Sequence, residues 1–515
     1  MLEGPEHPGS TPLPGLNGSL DNNPGTLAAL IRRHATTGLL QNLATQIDGL
    51  ISHVNRAERD FAAELALVHP TLAESARNLV HFDALAHIDL SALKHELRSL
   101  GLNGELCSPF AVLPTLKSVR TALGVMGGSM SDLSALGSNR VEIEKLEALA
   151  PAHGAEALGP VPASYRTRIM VSSHGDLATD DSKVRELVAA GMNILRINCA
   201  HGDPAQWRTI AAQTRAAAHE LGRDVRIACD LAGPKVRTGA LQNHTPIDLV
   251  VGDTLRVMRD PAPGKNRRVG ADGSLEAPAT ISCTLPEVFS AAQPGHRVLF
   301  DDGNIAGVIE RADAETLDVR ITYVLNDHHP LLAKKGINLP DTILSVPALS
   351  DRDREALRTV VEIADMVALS FTRSAADIAD LEDELTRLNG QHLTVILKPE
   401  TPQAVEDLPR LILGAMRSPP VAIMIPRGDL AVELGFERLS AAQERLLSYG
   451  EAAHIGVIWA TQVLERLTNL GTPARAEITD VIAGARADCI MLPYGPHIVK
   501  AVKFLAELLP HTSTE

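Results

Sequence analysis

The 515-residue chain has few aromatic side chains, 3% of the total, only five cysteines, and no excess of positive charge. With so few rings it has little base-stacking surface for a single-stranded nucleic acid. Its 48 Lys and Arg stand against 63 Asp and Glu, a net charge of −15, so a nucleic-acid binder would work against its own field and none is expected. The cysteines, at positions 107, 199, 229, 283 and 489, are odd in number, scattered and without CxxC spacing. Neither a disulfide framework nor a structural zinc site is expected, and a cytoplasmic location is the simplest one. No apolar run approaches the ~18 residues of a bilayer span, so no membrane association is expected. The opening MLEGPEHPGSTPLPGLNGS has an acid and several prolines where a secretory leader has a basic and then an apolar stretch. What the chain does have is 45% hydrophobic residues, enough for a sizeable core in roughly three domains.

Residues 1–26, rich in Gly, Pro, Ser and Asn, are expected to be a disordered tail. From 27 to 126 apolar residues recur at helical spacing, as in Ile47, Leu50, Ile51 and Val54, and three or four helices are predicted, one of them capped by Ser91. A short charged helix near 141–150 and a PAHGAEALGPVPAS linker complete a helical domain over 27–165. Beyond it, β-branched or apolar runs alternate with polar loops and amphipathic stretches: 168–172, 193–198, 225–230, 365–371, 393–398, 421–426, 456–461 and 488–493. Six of the seven spacings between run starts are 25 to 35 residues; the third is far longer. The insert there, 239–335, alternates as in Leu317, Val319, Ile321 and Tyr323, and reads as a small β domain. Removing it leaves 166–238 and 336–509, 247 residues in all, close to the ~250 of an eight-stranded TIM (β/α)8 barrel. The fold class is therefore α/β, with a doubly wound sheet as the rival; the first βα turn, SSHGDLATDDS, lacks the GxGxxG that sheet often carries. Residues 510–515 form a tail.

Barrel enzymes place reacting groups at the C-terminal ends of strands. Here those ends carry Arg196, Asn198 and His201, then Asp230, Ser370, Lys398 with Glu400, Arg427-Gly428-Asp429, and Thr461. Two carboxylates on adjacent strands, Glu400 and Asp429, with little His or Cys nearby suit a hard, oxygen-liking ion such as Mg²⁺. Lys398 offers a point charge beside it, Arg196 a fork of donors for phosphate, and the 427–429 turn backbone N–H groups for a carboxylate. The combination asks for an anionic, phosphorylated ligand. The alternative is a buried ion-pair network that closes the barrel top.

The motifs MNILRINCAHGD, DLAGPKVRTG, VLFDDGNI, KKGINLPD, VALSFTR, ILKPE, IPRGDLAVE, WATQVLERL and TPARAEITDV follow one another as in pyruvate kinase, and the chain resembles that family from about 166 to 509. The resemblance implies phosphoryl transfer between phosphoenolpyruvate and ADP, giving pyruvate and ATP, with these small molecules as partners and a homo-oligomeric state. It implies that Lys398 holds the moving phosphoryl group with Arg196 on the phosphate, and that Glu400 and Asp429 bind Mg²⁺ or Mn²⁺. Gly428 and Asp429 would receive the substrate carboxylate, Ser370 would contribute to the substrate site, and Thr461 would sit near the carbon that gains a proton. Asn198, His201 and Arg237 would face the nucleotide phosphates, and Asp302 would belong to the closing lid. The chain ends after the eighth unit, so the family's C-terminal regulatory domain is expected to be missing. The first 165 residues resemble a helical extension carried by some bacterial pyruvate-kinase-like proteins.

Departures from the pattern carry their own expectations. Of the oxygen ligands with which the family commonly binds K⁺, Asn198 and Asp230 stand, while Ala200 and Leu231 replace a Ser and a Thr. Lys235 replaces a Glu, and its ammonium beside Asp230 is expected to take the place of K⁺, making K⁺ unnecessary. The family's TIGP becomes Ser172-Ser173-His174-Gly175, its MLSGET becomes Met491-Leu492-Pro493-Tyr494-Gly495-Pro496, and Pro399 stands inside KIE. These changes fall on the nucleotide half and on proton delivery, since a proline has no hydroxyl to pass a proton. They leave two other readings: the same metal and enolate site redirected to another carboxylate or acceptor, or a catalytically degenerate barrel kept as a binding or scaffold protein.

Overall fold

The computed structural model of the chain describes residues 24–102, 106, 108–129, 133–272 and 274–512. The expected N-terminal tail lies outside the described residues up to position 23; a helix, Pro24–Asp60, begins directly after it. Cys107 and residues 513–515 also lie outside them.

In chain order the strands are β1 Arg168–Ser172, β2 Ile194–Asn198, β3 Arg226–Asp230, β4 Thr254–Met258, β5 Arg268–Val269, β6 Leu275–Ala277, β7 Ala279–Ser282 and β8 Arg297–Phe300. They continue with β9 Ile305–Ala312, β10 Thr316–Val324, β11 Ile337–Asn338, β12 Met366–Leu369, β13 Thr394–Leu397, β14 Val421–Pro426, β15 Gly456–Ala460 and β16 Cys489–Leu492. The eight apolar runs of the sequence become one closed parallel barrel in the order β1-β16-β15-β14-β13-β12-β3-β2. Each strand is buried on both faces, and its residues alternate between two cores. Met170, Ala228, Met366, Ala368, Ala422 and Met424 fill the barrel interior. Ile169, Val171, Val367, Leu369, Ile423 and Ile425 pack outward under the helices. Ile194, Ile396 and Ile458 complete that interior with the smaller alanines and the methionines, so side chains fill the lumen within the ring of helices.

The interval between β3 and β12 holds a six-stranded sheet, β11-β8-β9-β10-β4-β7, and a two-stranded ribbon, β5-β6, around a separate core that includes Leu255, Phe300, Val319 and Ile321. The lid joins the barrel through a two-chain neck, where Thr238 N–H donates to Lys335 O at 2.8 Å and Lys334 N–H to Thr238 O at 2.9 Å.

The stretch expected as a linker is partly helical: Leu149–Leu158 is Ala-rich, carries Pro151 in its first turn where a proline is tolerated, and stops at Gly159 with φ 87°. It plugs the N-terminal end of the barrel. Leu158 and Ala157 join the interior core, Thr394 Oγ1 donates to Ala157 O at 3.0 Å, and buried Arg168 donates to Gly159 O. The helices Pro24–Asp60, Ala73–Ala86, Ser91–Ser99, Val112–Met126 and Leu133–Glu147, with the short turn Ala62–Leu65, build the rest of the N-terminal unit. Ser91 is not the cap of its helix; it is the first helical residue, and Asp89 Oδ1 accepts its N–H at 2.9 Å. This unit docks on the barrel helix Phe436–Ala452 and the turn after it. There Tyr449 Oη donates to Asp83, Asn78 Nδ2 to Ala452 O, and buried His454 bridges Ser75 and Phe110 O. Burial pushes the His454 imidazole down to about 4, so it docks as the neutral ring.

Candidate active site

The C-terminal strand ends, opposite the plug, converge on Lys398, the residue after β13. The residue is 8% exposed, and its ammonium contacts Asp230 Oδ1 at 3.0 Å, Ser370 Oγ at 2.7 Å and Glu400 Oε1 at 3.0 Å. An ammonium has three donors, so all are engaged. Burial opposes the charge, but the carboxylates of Asp230 and Glu400 outweigh it and hold the Lys398 pKa above the ordinary lysine value. Asp230, at the end of β3, also takes two bonds from Arg196, at 2.9 and 2.5 Å, and Arg196 Nη1 donates to Ser172 Oγ at 3.1 Å. Those three bonds leave two of the five guanidinium N–H groups for a ligand. Burial would raise the Asp230 carboxyl, yet Lys398 and Arg196 hold it below the usual range.

Glu400 lies 1% exposed and accepts the Phe371 N–H at 2.8 Å. Burial comes first in pushing its carboxyl up to about 7, and the charges of Asp429 and Asp230 add to this while Lys398 opposes it. Asp429 stands in the first turn of the helix Arg427–Leu434. Just before it, Gly428 N–H donates to Thr461 Oγ1 at 3.1 Å. Arg427 anchors this region: it stacks over Trp459, ion-pairs with Asp480 and donates to the carbonyls of Ala460 and Thr461.

Lys398, Glu400, Asp230, Arg196 and Ser370 are thus brought into one contact network, with Asp429 coupled to it through charge and Thr461 linked to Gly428. The side chains expected to hold an anion form a buried ion-pair network with one another. Arg196, Asn198 and His201 line a cavity of about 390 Å³. Asn198 Oδ1 accepts the Ala200 N–H, and burial, followed by the charge of Arg237, lowers the His201 pKa. Arg237 itself sits at the lid neck, donating to Lys334 O.

Lys235 and Asp230 are not paired. The Lys235 ammonium bonds Asp429 Oδ1 at 2.6 Å and lies 3.9 Å from Asp302 Oδ1. Burial opposes its charge, but Asp429 dominates and raises its pKa. Asp302 is exposed at the turn between β8 and β9, whereas its neighbour Asp301 is buried against His329 and Lys335. Sequence reasoning left Asp301 and Glu433 without a role. Glu433, one helical turn beyond Asp429, accepts from Asn338 Nδ2 of β11 at 2.7 Å, and burial pushes its carboxyl up to about 7. The i, i+4 spacing from Asp429 was the available signal.

Among the described residues no group of three or more His, Cys, Asp or Glu is arranged to hold a metal. A magnesium ion needs fewer: one or two carboxylates, with water and substrate phosphate supplying the remaining oxygens. Glu400 and Asp429 fit that donor set, the charge of Asp429 adding to the burial that pushes the Glu400 carboxyl up.

Fold and site together define a closed (β/α)8 enzyme with a lid inserted after its third strand and a charged centre at the strand ends. The family model for the pyruvate kinase barrel domain matches residues 165–495. The pyruvate kinase of Mycobacterium intracellulare is 33% identical over 347 residues, 66% of this chain and 69% of that protein. Pyruvate kinase 1 of Trypanosoma brucei brucei is 32% identical over 334 residues, 64% of this chain and 63% of the other. A crystal structure of a pyruvate kinase from Cryptosporidium parvum superposes with a TM-score of 0.60 at 25% identity, covering 70% of this chain and 72% of that one. The chain belongs to the pyruvate kinase family and is a pyruvate-kinase-like phosphotransferase.

Proposed function

We propose that the chain transfers the phosphoryl group of phosphoenolpyruvate to ADP, forming pyruvate and ATP, with Mg²⁺ or Mn²⁺ held by Glu400 and Asp429 and without a need for K⁺. The observation that carries this reading is the buried ammonium of Lys398, held between Asp230, Ser370 and Glu400 at the barrel mouth. A cation fixed there in a dry setting stabilises charge on a moving phosphoryl group without reorganising. Bound at the two carboxylates, the divalent ion supplies charge neutralisation for phosphate and carboxylate oxygens.

The chain's own groups divide the remaining work. Were Glu400 to hold the cation, the Lys398 donor now on its Oε1 would be free for the phosphoryl oxygens. Arg196 presents its two remaining N–H groups to the same phosphate, and Ser370 keeps the ammonium oriented. The Thr461 hydroxyl accepts from Gly428 N–H and so keeps its own O–H to donate near the carbon that becomes the methyl group. The Gly428 and Asp429 amides, at the start of a helix, suit the substrate carboxylate. Asn198, His201 and Arg237 serve the nucleotide phosphates, and the lid with Asp302 excludes water. Lys235 supports K⁺ independence by supplying a fixed positive charge 2.6 Å from Asp429.

The test is ³¹P NMR of phosphoenolpyruvate and ADP with the full chain before and after metal removal by EDTA. ATP signals that vanish with EDTA and return with Mg²⁺ or Mn²⁺ are expected; pyruvate without ATP would instead mark a redirected enolate chemistry.

A further inference from the structure

The two chains of the lid neck form one wall of a second cavity, separate from the one onto which Arg196 and His201 open. Ile337 N–H donates to Val236 O at 2.8 Å, and both residues line this space of about 460 Å³, a size usual for a small-molecule site. The opposite wall comes from the barrel. Phe371 and Arg373 follow β12, and Gln403 lies in the short helix Pro402–Glu406 after β13. The lining is mostly apolar, and Ile343, 77% exposed, stands at the opening.

One polar group in that lining is incomplete. Arg373 is partly buried and donates from Nη1 to Leu344 O at 2.6 Å and from Nη2 to Val346 O, which holds the loop 339–346 over the cavity. Two carbonyls take two of its five N–H groups and carry no net charge, so three donors and the positive charge are left. Asp377 gives it no ion pair, because its oxygens accept the backbone N–H groups of Arg373, Ser374 and Ala348. Among the described residues no acid pairs with this guanidinium, and burial lowers its pKa, the direction of a cation short of negative charge. The acids that share the cavity are committed elsewhere or face water. Asp341 is held by two nitrogens of Arg297, Glu433 accepts from Asn338 and is pushed up to about 7, and Glu406 is exposed. The other cation there, Lys235, is taken by Asp429.

An apolar space with an unpaired guanidinium in its wall suits a carboxylate that carries an apolar body. Its occupant would touch the neck and the barrel at once, and Phe371 also gives its N–H to Glu400. We propose that this cavity is a second ligand site, taking a small carboxylate with an apolar body, and that its occupant slows turnover by holding the lid at one angle to the barrel. A lid opens and closes in each cycle, so a wedge at its neck lowers kcat. The binding stands by itself, whereas the braking rests on the phosphotransferase reading.

The experiment is isothermal titration calorimetry of the full chain with 3-phenylpropanoate, 3-phenylpropanol and acetate, with and without phosphoenolpyruvate and Mg²⁺. The acid is expected to bind about tenfold or more tighter than the alcohol, which lacks the charge, and than acetate, which lacks the body. Phosphoenolpyruvate should not displace it. Arg373→Met should weaken the acid about tenfold and leave the alcohol unchanged. Exposed Gln403 gives a check that does not disturb the fold: Gln403→Glu should weaken the acid and Gln403→Lys tighten it. In a turnover assay the acid should lower kcat with KM for phosphoenolpyruvate nearly unchanged. Equal binding of acid and alcohol, displacement by phosphoenolpyruvate, or an affinity that ignores both Arg373→Met and the charge at Gln403 overturns the site, and binding without a fall in kcat overturns the brake. Calorimetry needs no turnover, so a chain that binds the acid yet forms no ATP loses the phosphotransferase reading and the brake, and keeps the site.

Discussion

Replacing Lys398 by Met tests the network at its centre. Methionine keeps most of the stem volume, so the loss is one of charge, not of packing. The substitution leaves Asp230 with Arg196 as its remaining cation and Glu400 with the Phe371 N–H, both carboxylates being about 1% exposed. Removing one partner of a buried ion pair costs about 3–5 kcal/mol. At about 2–4 °C per kcal/mol for a unit of barrel size, the melting temperature should fall by roughly 6–20 °C at pH 7. The pH dependence has a definite sign. The Asp230 carboxyl is depressed in the folded protein, so its stabilisation is present above its unfolded value of about 3.9 and is lost as pH falls through the lower folded value. Lys398→Met removes the main cause of that depression, so the gap between the two proteins should hold from pH 7 down to about 4 and narrow below it. Thermal denaturation at about pH 7, 5 and 3 reads this directly. Lys398→Met with Asp230→Asn should recover part of the loss, because the uncompensated charge is gone. A melting temperature unchanged at pH 7, or a gap that widens on acidification, would refute the reasoning. In the same variant kcat should fall by about a hundredfold or more, as for loss of a preorganised charge at a reacting centre.

Glu433→Gln should stabilise the protein above pH 7 by up to about 3 kcal/mol, since the wild-type carboxyl rises from 4.5 to about 7 and each unit is worth ~1.36 kcal/mol. Because the folded state holds that proton more tightly, wild-type stability should drop between about pH 4.5 and 7, and urea titrations should show that the Glu433→Gln variant lacks that slope. Leu158→Ala, at the barrel floor, should cost about 2–5 kcal/mol in denaturant unfolding with KM unchanged; a cost near zero would deny that the helix Leu149–Leu158 plugs the barrel. Lys235→Glu places a third carboxylate beside Asp429 and Glu400, and should lower activity in K⁺-free buffer by about 10- to 100-fold with partial recovery on adding K⁺. Equal rates for both proteins with and without K⁺ would make Lys235 a bystander.

The barrel was legible because its signal is local: short β-branched runs ending in a polar residue, at intervals that fit a strand and a helix. The ends of those runs also named the members of the central network, Arg196, Asp230, Ser370, Lys398 and Glu400, since strand ends at one rim of a closed barrel must face one another. Other features depended on distant geometry. The plug helix was hidden because Pro151, Gly154, Gly159 and Pro160 resemble a linker until the barrel interior gives Leu158 a place to bury. The partner of Lys235 lies 194 residues away and is set by how the neck crosses the strand ends, so Asp429 could not be told from Asp230 by spacing. Asp301 and Asp302 are adjacent and chemically alike; left-handed backbone at both, with φ of 51° and 55°, turns one inward and leaves the other exposed. Glu433 looked like an ordinary helix acid, and its burial against Asn338 exists only once the lid neck lies across that helix.

The central claim is that this site moves phosphate from phosphoenolpyruvate to ADP with a divalent cation and a built-in ammonium in place of K⁺. The most direct measurement is the initial rate of pyruvate release from phosphoenolpyruvate, ADP and Mg²⁺ in a tetramethylammonium buffer free of K⁺, followed by coupled NADH oxidation. The account predicts ADP-dependent, Mg²⁺-dependent turnover that K⁺ does not increase, and its collapse in Lys398→Met. Turnover that needs K⁺ would contradict the role given to Lys235, and no pyruvate from the unaltered chain would contradict the proposed reaction itself.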